Sequence, residues 1–169
     1  MRKLILLKSL VDFIWIVTGV PAILLGIALI PCLFIYTSIF ETFSILPEET
    51  LVTNNFLVQF MVLILILSFL SSMYSFYLFR KIIRYFQKAQ PFDLFVINSF
   101  NKIGWILSIA GLVSSITLIL LRLMLESRIT IRLGATPYLI MICLGLFFMV
   151  LSETFRVAKN QKEENELTI

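Results

Sequence analysis

The side chains that could carry chemistry are few in this sequence of 169 residues. It contains no histidine, which excludes haem or zinc sites built on imidazole and catalytic triads with a histidine base. The two thiols, Cys32 and Cys143, each lie inside a long apolar stretch, and this favours packing over a nucleophile or a redox pair. Glycine-rich loops that hold phosphates or dinucleotides are also absent. We therefore expect no enzymatic activity, no metal and no cofactor.

The elements that must position these residues are four long stretches without Asp, Glu, Lys or Arg. A helix needs roughly 20 mostly apolar residues to cross the hydrocarbon core of a bilayer. The chain is 60% hydrophobic and 14% charged, whereas soluble domains are about 25% charged. We predict an all-α integral membrane protein, a bundle of four transmembrane helices in a single domain over residues 1–169. The predicted spans cover about 13–40, 56–79, 103–121 and 135–152.

The positions of Lys and Arg predict the orientation, because basic residues near the ends of a span resist translocation. Eleven of the fourteen lie in the first, third and fifth segments outside the spans, and only Arg122, Arg128 and Arg132 lie on the other side. We therefore predict cytoplasmic termini and a cytoplasmic central connection. The net charge of +4 is attributed to this topology and to contact with membrane lipid, with no direct binding of nucleic acid. The predicted cytoplasmic segments are residues 1–12, 80–102 and 153–169.

The first span has two features of its own. Asp12 stands just before it, where a carboxylate near a helix N-terminus is favoured by the backbone dipole, so we interpret Asp12 as a helix-terminal residue. Pro21 and Pro31 lie inside the span and each removes a backbone hydrogen bond, which predicts kinks.

Small residues recur at helical spacing in the third span. Gly104, Ser108, Gly111 and Ser115 follow one another at steps of four, three and four residues and therefore share one face. Small residues let neighbouring membrane helices approach closely, so this stripe predicts helix packing. The stripe serves contacts within one chain as well as between chains, which leaves a homo-oligomer open.

The central connection is predicted to be an amphipathic elbow between the second and third helices. Apolar residues from Phe79 to Phe86 alternate with basic ones at helical spacing, so the second helix is expected to run past the membrane surface. Pro91 ends this extension, and Asp93 is well placed to cap the helix that follows.

Three short patterns carry a resemblance that extends over essentially the whole chain. They are Pro91-Phe92 with Asn98 and Ile103-Gly104, the segment Glu153 to Arg156, and the ending Glu163-Glu164-Asn165-Glu166-Leu167-Thr168-Ile169. In this order around four spans, the chain resembles a bacterial family of small four-span membrane proteins that carries only a domain-of-unknown-function label. Glu166 departs from the family, which more often has Asp there. The resemblance implies a bacterial cytoplasmic (inner) membrane protein.

Genes of that family often lie beside one for a small Cro-like helix-turn-helix regulator. The resemblance therefore implies a membrane protein that binds and controls such a cytoplasmic transcription regulator, by sequestration. The tail is expected to fold as a short helix with ion pairs four residues apart. The expected contact residues are Pro91, Phe92, Asn98, Glu164, Asn165, Leu167, Thr168 and Ile169.

A second hypothesis is a small transporter, or an immunity protein against membrane-active peptides or lipophilic compounds. It predicts a cavity that is open to one membrane face and lined by the serines of the second and third spans. Proton-coupled transport is disfavoured, since no ionisable side chain lies near the middle of a span. A third hypothesis is an enzyme that acts on lipid, which would need polar side chains clustered at one membrane interface. The candidates are Asp93, Asn98 and Glu153, and the sequence indicates no catalytic partner for any of them.

Overall fold

The computed structural model describes residues 2–35, 56–88, 90–126 and 137–167, and the regular elements in these ranges are all helical. Four continuous helical rods there are long and apolar enough to cross a membrane, which confirms the predicted fold class. The first rod consists of two α-helices joined by a π-helical turn. The elements are α1 (Arg2–Ile14), the π-turn (Trp15–Gly19), α2 (Val20–Ile35), α3 (Phe56–Gln87), α4 (Leu94–Glu126) and α5 (Pro137–Leu167).

The helices are longer than the predicted spans. The 32 residues of α3 correspond to about 48 Å, whereas a hydrocarbon core is about 30 Å thick. α4 begins before residue 103, and α5 continues past residue 152 to Leu167. These extensions gather at one end of the bundle, here called the basic end. Residues 36–40 and 135–136 of the predicted spans lie outside the described ranges.

Asp12 has a different position from the predicted one. α1 begins at Arg2, so Asp12 lies in the interior of a helix and the expectation of a terminal residue is wrong. The apolar residues before Asp12 continue the helix towards the N-terminus, because the chain holds no Gly or Pro there. Its carboxylate accepts a hydrogen bond from Nε of Arg80 on α3, and the two groups form a salt bridge. The contact ties the first rod to the second.

The irregularity in the first rod precedes Pro21 and takes the form of a π-turn. The backbone N–H of Val20 donates to the carbonyl oxygen of Trp15, and the helix resumes through Pro31. The Trp15 ring lies 5.9 Å from that of Phe76 on α3, in a stacked arrangement. The extra residue in this turn is thus held in place by an aromatic contact between rods.

The bundle interior is rich in small polar residues, whereas large apolar side chains face outward. The Ser68 hydroxyl of α3 lies 2.8 Å from the Ala110 carbonyl oxygen and 2.8 Å from the Ser114 hydroxyl of α4. Ser152 of α5 donates to the Ile97 carbonyl oxygen over 2.8 Å. Outward residues such as Phe147 are more than half exposed. This is the arrangement expected of helices whose solvent is lipid.

The most extensive helix–helix contact joins α4 to α5. A Cβ atom at Gly145 of α5 would come within 2.7 Å of the Gly104 carbonyl oxygen, and one at Gly111 within 2.9 Å of the Tyr138 carbonyl oxygen. Ser108 is buried against Gly145 in the same contact. Three members of the predicted stripe thus face α5. Ser115, the fourth member, is half-buried, and it is its neighbour Ser114 that makes the buried hydroxyl contact with α3.

A conventional apolar core lies at the basic end, where the helices leave the predicted spans. Ile82 is 1% exposed and Val96 is not exposed at all. The hydrophobic effect acts where side chains would otherwise meet water, so this part of the bundle packs like a small soluble domain. The buried cluster consists of Leu78, Ile82, Val96, Phe100 and Ile103.

Candidate functional site

The elbow between α3 and α4 is shaped by hydrogen bonds of its own backbone. The N–H of Gln90 donates to the Tyr85 carbonyl oxygen over 3.2 Å, which closes the end of α3. Asp93 then begins α4, as the sequence predicts, since its Oδ1 accepts a hydrogen bond from the Phe95 N–H over 2.7 Å. Pro91, which has no N–H, stands between these two bonds. Pro91 and Phe92 are therefore held in a defined turn.

Phe155 of α5 fixes the elbow against the last helix. Its ring centroid lies 5.9 Å from that of Phe92, 5.8 Å from that of Phe86 and 5.6 Å from that of Phe100. Aromatic pairs at such distances contribute about 0.5–1.5 kcal/mol each beyond the area that they bury. The elbow and α5 thus form one packed unit.

The tail after the fourth predicted span is helical to Leu167, as expected, and it continues α5 without a break. The reason lies in the sequence, which has neither Gly nor Pro after residue 145. Lys159 and Glu163 approach to 3.5 Å and Lys162 and Glu166 to 3.6 Å, each pair one helical turn apart. These are the predicted pairs at a spacing of four residues.

Elbow and tail enclose a cleft of about 280 Å³, here called the elbow–tail cleft. Proline and a half-buried phenylalanine form its apolar part, and the two ion pairs of α5 form the opposite wall. The lining residues are Gln90, Pro91, Phe92, Asp93, Lys159, Lys162, Glu163 and Glu166.

Only part of the expected contact set meets in this cleft. Pro91 and Phe92 line it, whereas Asn98 is exposed on α4 and does not line it. Glu164 and Asn165 are exposed on α5 outside the cleft lining. Leu167 ends α5, and nothing is described of its side chain. Thr168 and Ile169 lie outside the described residues.

Sequence reasoning missed the wall that α5 contributes. Lys159, Lys162, Glu163 and Glu166 are spaced three, one and three residues apart, which places them on one helix face. This spacing could have identified the face, had the tail been recognised as part of a continuous helix. Glu164 and Asn165, which were selected instead, do not line the cleft.

A second groove, of about 300 Å³, lies between α3 and α4 within the predicted spans. Its serines are Ser68 and Ser71, whose hydroxyls donate to the carbonyl oxygens of Ala110 and Leu67. The other lining residues are apolar. The groove therefore offers mainly apolar surface to a ligand.

The arrangement of four spans, elbow and helical tail can be compared with known proteins. The matching family profile covers residues 12–169 and is described as a protein of unknown function, DUF2975. The chain belongs to this family. The match confirms the resemblance to a family of unknown function that the sequence motifs indicate. Comparison with curated proteins and with solved structures gives no match.

Proposed function

We propose that this DUF2975 protein is a membrane-bound docking protein whose elbow–tail cleft binds a small soluble protein in the cytoplasm. The observation that supports the proposal is the cleft itself. Pro91 and Phe92 come together there with an α5 face that lies about 70 residues further along the chain. Two segments that the motifs single out independently thus contribute to one surface.

The size and chemistry of the cleft favour a protein partner. The cleft measures about 280 Å³, close to the lower end of the roughly 300–1,000 Å³ of small-molecule pockets, and this volume also accommodates one or two inserted side chains of a protein. The lining combines an aromatic side chain, Phe92, with charged side chains such as Lys162 and Glu166, and protein interfaces likewise combine aromatic and charged residues.

In this proposal the partner is a small helix-turn-helix transcription regulator, as the resemblance of the sequence implies, and binding sequesters it at the membrane. The excess of basic residues in the segments that flank the cleft supports a cytoplasmic location, where such a regulator acts. The protein then controls transcription without contacting DNA and without catalysis.

Site-specific photo-crosslinking in a bacterial host tests the proposal. A photoreactive side chain at Glu166, in the cleft, is expected to give a covalent adduct with a small helix-turn-helix protein of that host. The matched control is Gln161, which is exposed on α5 outside the cleft lining. Equal labelling from both positions, or adducts at Glu166 without any such regulator, would contradict the proposal.

A charge exchange separates binding from folding. The double variant Lys162→Glu with Glu166→Lys keeps an ion pair one turn apart and so preserves α5. It inverts the charges offered to a partner. For this variant the photoreactive side chain is placed at Gln90, which also lines the cleft, and the exchange is expected to lower the adduct yield at least tenfold and to change the regulated transcripts. Gln161→Lys alters the tail charge outside the cleft and is expected to leave both unchanged. An unchanged yield in the double variant would place the contact elsewhere.

A further inference from the structure

A larger groove lies at the basic end between α1 and α3, away from the elbow–tail cleft. Its volume is about 770 Å³. One face of α1 forms most of its wall, and the end of α3 closes it. The lining residues are Ile5, Lys8, Ser9, Asp12, Phe13, Ile16 and Gln87.

The polarity of this groove changes along α1. Lys8 and Ser9 precede Asp12, in the segment predicted to lie outside the first span, whereas Phe13 and Ile16 follow it within that predicted span. Phe13 is 66% and Ile16 62% exposed to the surroundings of the bundle. A polar end at the membrane surface and an apolar end within the bilayer match a molecule with a headgroup and an acyl chain.

The charge balance decides which headgroup fits. Among the described residues of the lining, Asp12 is the only carboxylate, and it is already engaged by Arg80. Lys8 therefore gives the groove wall a net positive charge. Arg84 lies on the same face of α3, four residues after Arg80 and three before Gln87, but outside the groove lining. A phosphate finds the ammonium of Lys8 here, whereas the ammonium of a zwitterionic headgroup finds no uncommitted carboxylate among the described residues of the lining.

We propose that the α1–α3 groove binds one anionic phospholipid of the surrounding bilayer. Lys8 and the Ser9 hydroxyl contact the headgroup phosphate, and Phe13 and Ile16 contact an acyl chain. Lysine is suited to this position because its apolar stem lies along the helix while its ammonium reaches the interface. The Asp12–Arg80 pair supports the site by holding α1 against α3 and by removing the one negative charge that would repel the phosphate.

The test uses the full chain, purified in detergent and titrated with lipid, with bound lipid counted by native mass spectrometry. Phosphatidylglycerol is expected to bind as one molecule per chain and at least fivefold more tightly than phosphatidylcholine. Lys8→Gln is expected to weaken phosphatidylglycerol binding about fivefold, as one basic residue near an anionic surface contributes about that much. Lys102→Gln removes an exposed lysine of α4 outside the groove lining and is the matched control.

A second variant tests the apolar end without changing charge. Ile16→Trp fills the groove and is expected to abolish the bound lipid while α1 stays folded by circular dichroism. Equal retention of both lipids, equal losses in the Lys8 and Lys102 variants, or lipid retained by Ile16→Trp would each overturn the proposal. Competition by glycerol phosphate at equal concentration would also overturn it, because the site would then bind a free headgroup. So would a mass shift to dimers in place of lipid adducts.

Discussion

Replacing Asp12 by Asn should loosen the first rod from the rest of the bundle. Asp12 and Arg80 form a salt bridge in which their side chains are only 26% and 21% exposed. Exposed pairs contribute about 0–1 kcal/mol, and breaking a fully buried pair costs about 3–5 kcal/mol. With roughly three quarters of each side chain covered, and with Arg80 able to extend to water, we expect a loss of about 2 kcal/mol.

Trp15 provides the readout, because it lies one turn after Asp12 and stacks on Phe76 at 5.9 Å. The chain has two tryptophans, so a Trp105→Phe background leaves Trp15 as the reporter. The purified protein is titrated with a denaturing detergent in mixed micelles, and its unfolding is followed by Trp15 fluorescence. The titration gives the free energy of unfolding. A double-mutant cycle of Asp12→Asn with Arg80→Gln isolates the pair.

The control is Glu153→Gln. Glu153 and Arg156 approach to 3.7 Å, but their side chains are 68% and 51% exposed, so their pair should contribute less than about 0.5 kcal/mol. If Asp12→Asn lowers the free energy of unfolding no more than Glu153→Gln does, the reasoning from burial is wrong. An unchanged Trp15 emission in Asp12→Asn would show that the salt bridge does not hold the first rod against α3.

Two further predictions concern packing within the predicted spans. Gly145→Ala should destabilise the α4–α5 contact by about 2 kcal/mol, because the added methyl group would meet the Gly104 carbonyl oxygen at 2.7 Å. The control is Gly26→Ala, whose methyl group would meet a movable leucine methyl group at 2.9 Å. It should cost less stability in the same detergent titration. Ser68→Ala should cost about 0.6–1.7 kcal/mol by removing a hydroxyl that bonds between α3 and α4, whereas Ser71→Ala, which removes a bond within α3, should be near neutral. Equal losses of stability in the two glycine variants, or in the two serine variants, would contradict the assigned packing.

Several local features could be predicted from the sequence because their causes lie within a few residues. The uncharged stretches are long enough to cross a bilayer, whatever their neighbours are. Asp93 caps α4 because a carboxylate before a helix reaches an N–H two residues on. The ion pair of Lys162 and Glu166 follows from a spacing of one turn.

Asp12 shows where this reasoning ends. Its local sequence gave no indication of a partner, and the residue that binds it is 68 positions away. Which face of α1 meets α3 depends on the π-turn before Pro21, since one extra residue in a helical turn rotates everything before it. Periodicity assumes regular helices and therefore cannot predict that rotation.

The sequence by itself determined that the surroundings of the chain are lipid, and it determined the four spans, the elbow and the uneven distribution of charge. Each of these depends on length, hydropathy or short-range spacing. The tertiary structure alone decided which of these parts face one another. The elbow–tail cleft exists because Phe155 holds Phe92 against an unbroken α5. The α1–α3 groove exists because Asp12 and Arg80 join two rods, which contribute Lys8 and Gln87 to its lining. Both depend on helix rotation and packing across long stretches of chain, which no local pattern encodes.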